Sequence, residues 1–114
     1  MTILKQGTIV GAVMLAAACG GSQVPAQQMA ESQSAIRAAS EVGAENYPQA
    51  ALHLKMAKDR EARAEKLSRE GDNDSAKALL EESQADAELA LALARKEQAQ
   101  TNSEQAKRQL EALQ

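Results

Sequence analysis

Alanine supplies 21 of the 96 residues that follow Ala18, while the whole chain has one Tyr and neither Trp nor Phe. Small side chains each bury little apolar area, at ~25 cal/mol per Å², although they let helix backbones approach closely. The walls of a ligand pocket require larger apolar side chains. We therefore expect one small all-α domain without a deep pocket, a catalytic site or a small-molecule substrate.

The first helix is predicted over residues 25–43. Pro25 suits the first turn of a helix, because the backbone N–H that proline lacks would have no partner there. Gly43 suits the left-handed conformation that commonly ends a helix. Between them, small or apolar residues recur close to the helical period: Ala26, Met29, Ile36 and Ala39.

The second helix is predicted over residues 47–70, with Asn46 as its capping residue, Pro48 in its first turn and Gln49 reaching back to complete a capping box. Its apolar side carries Ala50, Leu54, Ala57, Ala64 and Leu67. Glu61 interrupts this apolar stripe.

The third helix is predicted over residues 74–100, after a turn at residues 71–74 that stops one helix and caps the next. Its apolar side carries Ala76, Leu79, Leu80, Ser83, Ala87, Ala90 and Ala94. Residues 101–104 resemble another capping box. Two alternatives therefore stay open for the C-terminal extension at residues 101–114. It forms a separate fraying helix, or it continues the third helix to a length of ~60 Å.

Together these segments predict an all-α fold, either an antiparallel helical hairpin or a three-helix bundle with a long C-terminal helix, whose domain covers residues 25–100. The second helix has a net charge of +2 and the third, up to residue 100, of −3. Antiparallel packing would place these opposite charges side by side along the helix contact. Favourable i,i+4 pairs are predicted within helices at Asp59–Arg63, Glu65–Arg69 and Glu104–Arg108.

Cys19 is the only cysteine, and it ends a short apolar run. The run is about a dozen residues long, which is shorter than the ~20 that a membrane-spanning helix needs. Small residues precede the cysteine, as a signal peptidase requires. The segment looks like the lipobox of a bacterial lipoprotein, in which cleavage falls between Ala18 and Cys19 and the cysteine is acylated. Residues 1–18 are thus predicted to be a signal peptide, and residues 19–24 a flexible leader.

Acylation would explain the position of a lone cysteine, which otherwise has no disulfide partner in an oxidising compartment. Two acyl chains hold a protein stably at a membrane. Gly20, rather than Asp, follows the cysteine, and under the sorting rule of Gram-negative lipoproteins this predicts the outer membrane, facing the periplasm. Ordinary secretion with a free Cys19 thiol, a retained anchor and a buried cytoplasmic cysteine stay open as alternatives.

No residue pattern predicts catalysis, a cofactor or a metal site. His53 is the only histidine, whereas a metal site needs several converging ligands and a catalytic triad needs a paired nucleophile. We expect His53 to be packed or exposed on the second helix. Without residues 1–18 the chain carries 12 basic and 16 acidic residues, a net charge of −4, which argues against nucleic acid as a partner. The third helix's acids, Glu81, Glu82, Asp86 and Glu88, are predicted to form a solvated face.

A partner-binding face is predicted at Leu89, Leu91 and Leu93, because these residues make the third helix apolar almost all round. Such a stretch is expected to be covered on two sides. Tyr47, at the turn before the second helix, is expected to close the end of the helical hairpin.

The chain resembles DUF4398, a family of bacterial helical lipoproteins that share a domain of unknown function. Residues 44–48 (Ala-Glu-Asn-Tyr-Pro), Gly71-Asp72 with Ala76, and residues 85–90 (Ala-Asp-Ala-Glu-Leu-Ala) carry the resemblance. It covers about residues 30–100. It implies a short helical protein of the cell envelope, and it brings neither catalytic residues nor an activity.

We expect a lipoprotein that presents a small helical domain to the periplasm as a non-catalytic adaptor, spacer or accessory subunit. Its partners would be the membrane, through the lipid, and an envelope protein. Two alternatives are a periplasmic chaperone-like or tetratricopeptide-like binding module, and a structural lipoprotein that self-associates as a coiled coil through about its last forty residues.

Overall fold

The computed structural model describes residues 23–114, which form three α-helices joined by short turns. They are α1 (Ala26–Glu41), α2 (Pro48–Arg69) and α3 (Asn73–Ala112), with a 3-10 turn at Ala44–Asn46 between α1 and α2. These residues contain no β-strand. The predicted all-α fold with a long C-terminal helix is confirmed.

The turn between α2 and α3 satisfies the backbone groups at both helix ends. Gly71 has a φ of 88°, and the backbone N–H groups of Gly71 and Asp72 donate to the carbonyls of Ser68 and Leu67. This pair of hydrogen bonds is the Schellman arrangement that ends many helices. The Asp72 side chain then accepts a hydrogen bond from the backbone N–H of Ser75, 3.2 Å away, and caps α3.

The turn between α1 and α2 differs from its prediction in one respect. Gly43 adopts the expected left-handed conformation, with a φ of 74°. Asn46, however, does not cap α2, because it lies inside the 3-10 turn and Tyr47 takes the cap position without a side-chain hydrogen bond. Pro48 begins α2 as predicted, since its missing N–H leaves no donor without a partner.

α3 is one continuous helix of 40 residues, about 60 Å long. It continues past residue 100, and residues 101–104 lie within it instead of capping a new helix. Of the two alternatives for the C-terminal extension, the structure has the continuation of the third helix. No Gly or Pro follows Gly71, so the sequence there contains no strong helix breaker.

Small residues at alternating steps of four and three line the contacts between the helices. This spacing keeps side chains on one side of a helix and is typical of left-handed supercoiled packing. In α3 the buried residues are Ala76, Leu80, Ser83, Ala87, Ala90 and Ala94. In α2 they are Ala50, Leu54, Ala57 and Ala64, and in α1 Ser32 and Ala39. These positions in α2 and α3 match the predicted stripes.

Two clusters of apolar residues show how the helices run. At the lower end, Ala64, Ala76 and Leu80 pack with Met29, Leu67 and Leu79. At the upper end, Ala39, Ala50, Leu54, Ala90 and Ala94 pack around Ala44, with Tyr47 against them. The start of α1, the end of α2 and the start of α3 therefore share the lower end, so the bundle runs up, down and up.

The C-terminal part of α3 extends beyond the bundle. Ala94 is the last buried residue, and the Gln98 side chain makes the last contact, donating to the Val42 carbonyl 2.8 Å away. Every residue from 99 to 114 is exposed. We call residues 95–112 the tail helix, which is about 27 Å long.

A larger side chain at a buried alanine tests the close packing. We expect Ala90→Leu to lower the free energy of unfolding by about 1–3 kcal/mol, because the added methyl groups have no space between the helices. Ala62→Leu, on the exposed side of α2, should change it by less than about 0.5 kcal/mol. Urea unfolding followed by circular dichroism measures both. Equal effects of the two substitutions would contradict the close packing.

Candidate functional site

The predicted lipidation and cleavage site, Ala18 and Cys19, lies outside the residues that the structure describes, and it stays a prediction. The described chain begins at Gln23, three residues before α1. None of the helices within residues 23–114 combines the length and the apolar character needed to cross a membrane.

The structure separates the three leucines of the predicted partner face. Leu89 is 42 % exposed, whereas Leu91 and Leu93 are partly buried and pack against the upper cluster. Leu91 borders a groove between α1 and α3, and Leu93 borders a small depression beside Tyr47 and Pro48. Neighbouring residues therefore cover α3 on two sides. The three leucine side chains do not form a single surface.

Two serines and one glutamate form a polar junction where all three helices meet. Ser83 of α3 donates a hydrogen bond to the Ala57 carbonyl of α2, 2.7 Å away. The Ser32 hydroxyl of α1 lies 2.7 Å from Ser83 Oγ and 3.3 Å from Oε2 of Glu61. Glu61 interrupts the apolar stripe of α2 because it faces this serine pair. Ser32 was not predicted, although it lies seven residues before the buried Ala39.

Asp86 joins α3 to α2 through two basic side chains. Its Oδ1 lies 3.0 Å from Nδ1 of His53, and its Oδ2 accepts a hydrogen bond from Arg60. The guanidinium of Arg60 also lies 3.0 Å from Oε2 of Glu82. The Asp86 side chain is only 14 % exposed, so its predicted place on a solvated face is wrong. Its position seven residues before Leu93, which also packs inward, was the available signal.

Other ion pairs support the helices from outside. Glu65 pairs with Arg69 as predicted, whereas Asp59 pairs with Lys55 instead of Arg63. At the α1–α2 turn, Glu45 lies 3.6 Å from Lys58. Hydrogen bonds from its own backbone and from Ser40, with the positive charge of Lys58, hold the pKa of Glu45 below its ordinary value.

Within residues 23–114, the side chains available to a ligand or partner lie on the surface. No group of three His, Cys, Asp or Glu side chains is placed there to hold a metal ion. Every buried side-chain nitrogen or oxygen in this part of the chain has a hydrogen-bond partner, so no unpaired polar group points into an interior site. The described polar side chains with inter-helix partners hold the helices together.

Two surface features remain as candidates for binding. One is the groove between α1 and α3, lined by Ala30, Glu31, Ser34, Ala35, Ala38, Gln84, Glu88 and Leu91. We call it the α1/α3 groove. The other is the tail helix, which carries Leu110 and Leu113 at 63 % and 84 % exposure. Both present small or apolar side chains to solvent, which is typical of surfaces that bind other proteins.

Comparison with known proteins gives one match. The family model of DUF4398, a domain of unknown function, matches residues 27–111. The match covers all of α2, almost all of α1 and most of the tail helix. No curated protein and no solved structure matches the chain.

The contribution of Asp86 to helix pairing can be measured with a double-mutant cycle. We expect Arg60→Ala and Asp86→Ala to show a coupling energy of about 0.5–2 kcal/mol in unfolding, because the pair is largely shielded from solvent. The exposed pair of Lys55 and Asp59, which lies within α2, is the matched control, with an expected coupling below about 0.5 kcal/mol. Coupling energies of the same size would show that Asp86 is no more than a surface charge.

Proposed function

The chain belongs to the DUF4398 family, and on that premise we propose that it is a lipid-anchored protein of the cell envelope that acts through its helical surfaces. In this proposal Cys19 is acylated after cleavage at Ala18. Gly20 directs the protein to the outer membrane, facing the periplasm. The helical domain serves there as a non-catalytic adaptor or accessory subunit.

The proposal rests on the two ends of the bundle, one close to the anchor and the other continued by the tail helix. α1 begins at Ala26, seven residues after Cys19, so an anchor at Cys19 would lie close to the lower end of the bundle. The tail helix leaves the bundle at the other end, beyond Ala94. An anchored molecule would therefore keep its membrane attachment and its exposed helix well apart, which suits a protein that brings a partner to a membrane.

A binding role also fits the way the described side chains are used. The junction at Ser32, Ser83 and Glu61 and the ion pairs of Asp86 connect helices to one another. On the tail helix, by contrast, Leu110 and Leu113 are 63 % and 84 % exposed. We propose that they supply the binding surface.

Of the alternative functions, the exposed apolar residues of α3 favour self-association through a coiled coil. A chaperone-like module would hold client segments on the leucine face, but Leu89, Leu91 and Leu93 do not share one surface. No structural observation favours that alternative.

Metabolic labelling with radioactive palmitate tests the anchor. We expect label on the full chain produced in a bacterial host and none on Cys19→Ser, because only a thiol receives the lipid. Globomycin, which blocks the lipoprotein signal peptidase, should cause a labelled precursor of higher mass to accumulate. Ser22→Cys together with Cys19→Ser is a matched control that keeps a thiol in the leader and should stay unlabelled.

An unlabelled full chain, or label that persists in Cys19→Ser, would overturn the lipid anchor. Membrane fractionation then tests the location. Recovery of the labelled protein with the inner membrane would contradict the role proposed for Gly20.

A further inference from the structure

α3 carries a second, exposed row of small and apolar residues in addition to the buried one. Alanine recurs at every seventh position on this side, and Leu113 continues the series. Leu89, Ser103 and Leu110 lie four residues after members of the series. We call the row the outer seam, formed by Ala85, Leu89, Ala92, Ala99, Ser103, Ala106, Leu110 and Leu113, with Lys96 interrupting it.

The outer seam has the pattern of a helix contact that is missing its partner. Its 4-3 spacing is the same as that of the buried row, and it is displaced from that row by two residues, which places it on the opposite side of α3. Apart from Lys96, it continues from the bundle onto the tail helix. Three of the five large apolar residues that are exposed in the described chain, Leu89, Leu110 and Leu113, belong to it.

The charges beside the outer seam change sign where the tail helix begins. Glu88 lies beside it on the bundle half, and Glu31 lies across the α1/α3 groove. On the tail half, Arg95 and Lys107 lie beside it and Lys96 stands within it. Within residues 23–114 none of these five groups forms an ion pair with its own chain. The tail's acids, Glu97, Glu104 and Glu111, follow one another on the other side of the helix.

This arrangement is complementary to itself when two copies run in opposite directions. An antiparallel pair places the basic tail half of one copy against the acidic bundle half of the other, so that opposite charges meet. A parallel pair would bring like charges together. The antiparallel pair also places Leu110 against alanines of the second copy, and large residues facing small ones fill a helix contact well.

We propose that the partner of the tail helix is a second copy of this chain, with the tail helix of each copy lying antiparallel on the outer seam of the other, beside the α1/α3 groove. The two copies cross near Ala99, so residues 104–113 of one copy lie beside residues 85–94 of the other. The contact is two-fold symmetric, with the same residues used by both copies.

The contact between the two α3 helices covers the outer seam from Ala85 to Leu113, about 43 Å of helix. Stable interfaces bury about 1,200–2,000 Å² in total. Because each alanine side chain adds little buried area, the proposed pairing requires the full length of the outer seam. The pairing is independent of the lipid. In this pair the lower ends of the two bundles lie at opposite ends.

Sedimentation equilibrium of the full chain, purified from envelopes in detergent, tests the pairing. We expect a dimer whose dissociation constant rises roughly 100-fold in Ala106→Glu, because symmetry buries two unpaired carboxylates in the contact. Ala112→Glu is the matched control, since it adds the same charge to the tail helix away from the outer seam, and it should change the constant by less than about threefold. Unchanged circular dichroism would show that both variants stay folded.

A photoreactive residue in place of Leu110 tests the direction of the pair. We expect a crosslink to residues 30–38 or 84–92 of the second copy, whereas a probe at Arg108, on another side of the helix, should give none there. A monomer at all concentrations, equal effects of the two glutamates, a crosslink between the two tail ends, or a crosslink to a different protein would each overturn the proposal. None of these results bears on palmitate labelling at Cys19.

Discussion

The fold depends on the small size of the side chains between its helices. Within residues 23–114, most of the buried positions hold alanine or serine, and only Leu54 and Leu80 add large side chains that are almost fully buried. Each alanine contributes little by the area that it buries. What alanine provides is a close approach of the helix backbones, which gains many weak dispersion contacts along α2 and along α3 as far as Ala94.

A helix contact made of similar small residues allows several axial alignments of the two helices. The alignment is therefore specified by polar groups. Ser32, Ser83 and Glu61 connect the three helices near the middle of the bundle. Asp86 adds a connection between α2 and α3, about one helical turn further along α3. Sliding either helix by one turn would separate these partners and leave buried polar groups unpaired, which costs about 1–3 kcal/mol per group. The polar groups therefore select one alignment among several that alanine would allow.

Much of the fold could be predicted because its signals are local. Gly43, Pro48 and Gly71 mark helix ends through backbone geometry, and the stripes of α2 and α3 follow directly from periodicity. The single length of α3 was left open, because a capping sequence at residues 101–104 favours a helix start only where the preceding chain is not already helical. Asn46 shows the same limit, since the 3-10 turn before Tyr47 decides which residue occupies the cap.

The binding surfaces were harder to predict than the fold. The helical period already places Leu91 on a different side of α3 from Leu89 and Leu93. Which of these sides is covered depends on where α1 and α2 pack. Asp86 was assigned to solvent together with Glu82 and Glu88, although its spacing of seven residues from Leu93 sets it apart from both. Lipidation of Cys19 is predicted from the order of residue types that precede it, and this prediction does not depend on how the helices pack.

Amide hydrogen exchange along α3 of the full chain tests whether small-residue contacts, and not the helix by itself, stabilise this structure. At dilutions where copies separate, we expect strong protection from Ala76 to Ala94 and rapid exchange from residue 99 onward. At concentrations where copies pair, protection should extend along the outer seam to about Leu110. Equal protection along the whole of α3 at every concentration would show instead that the helix is stable without these contacts.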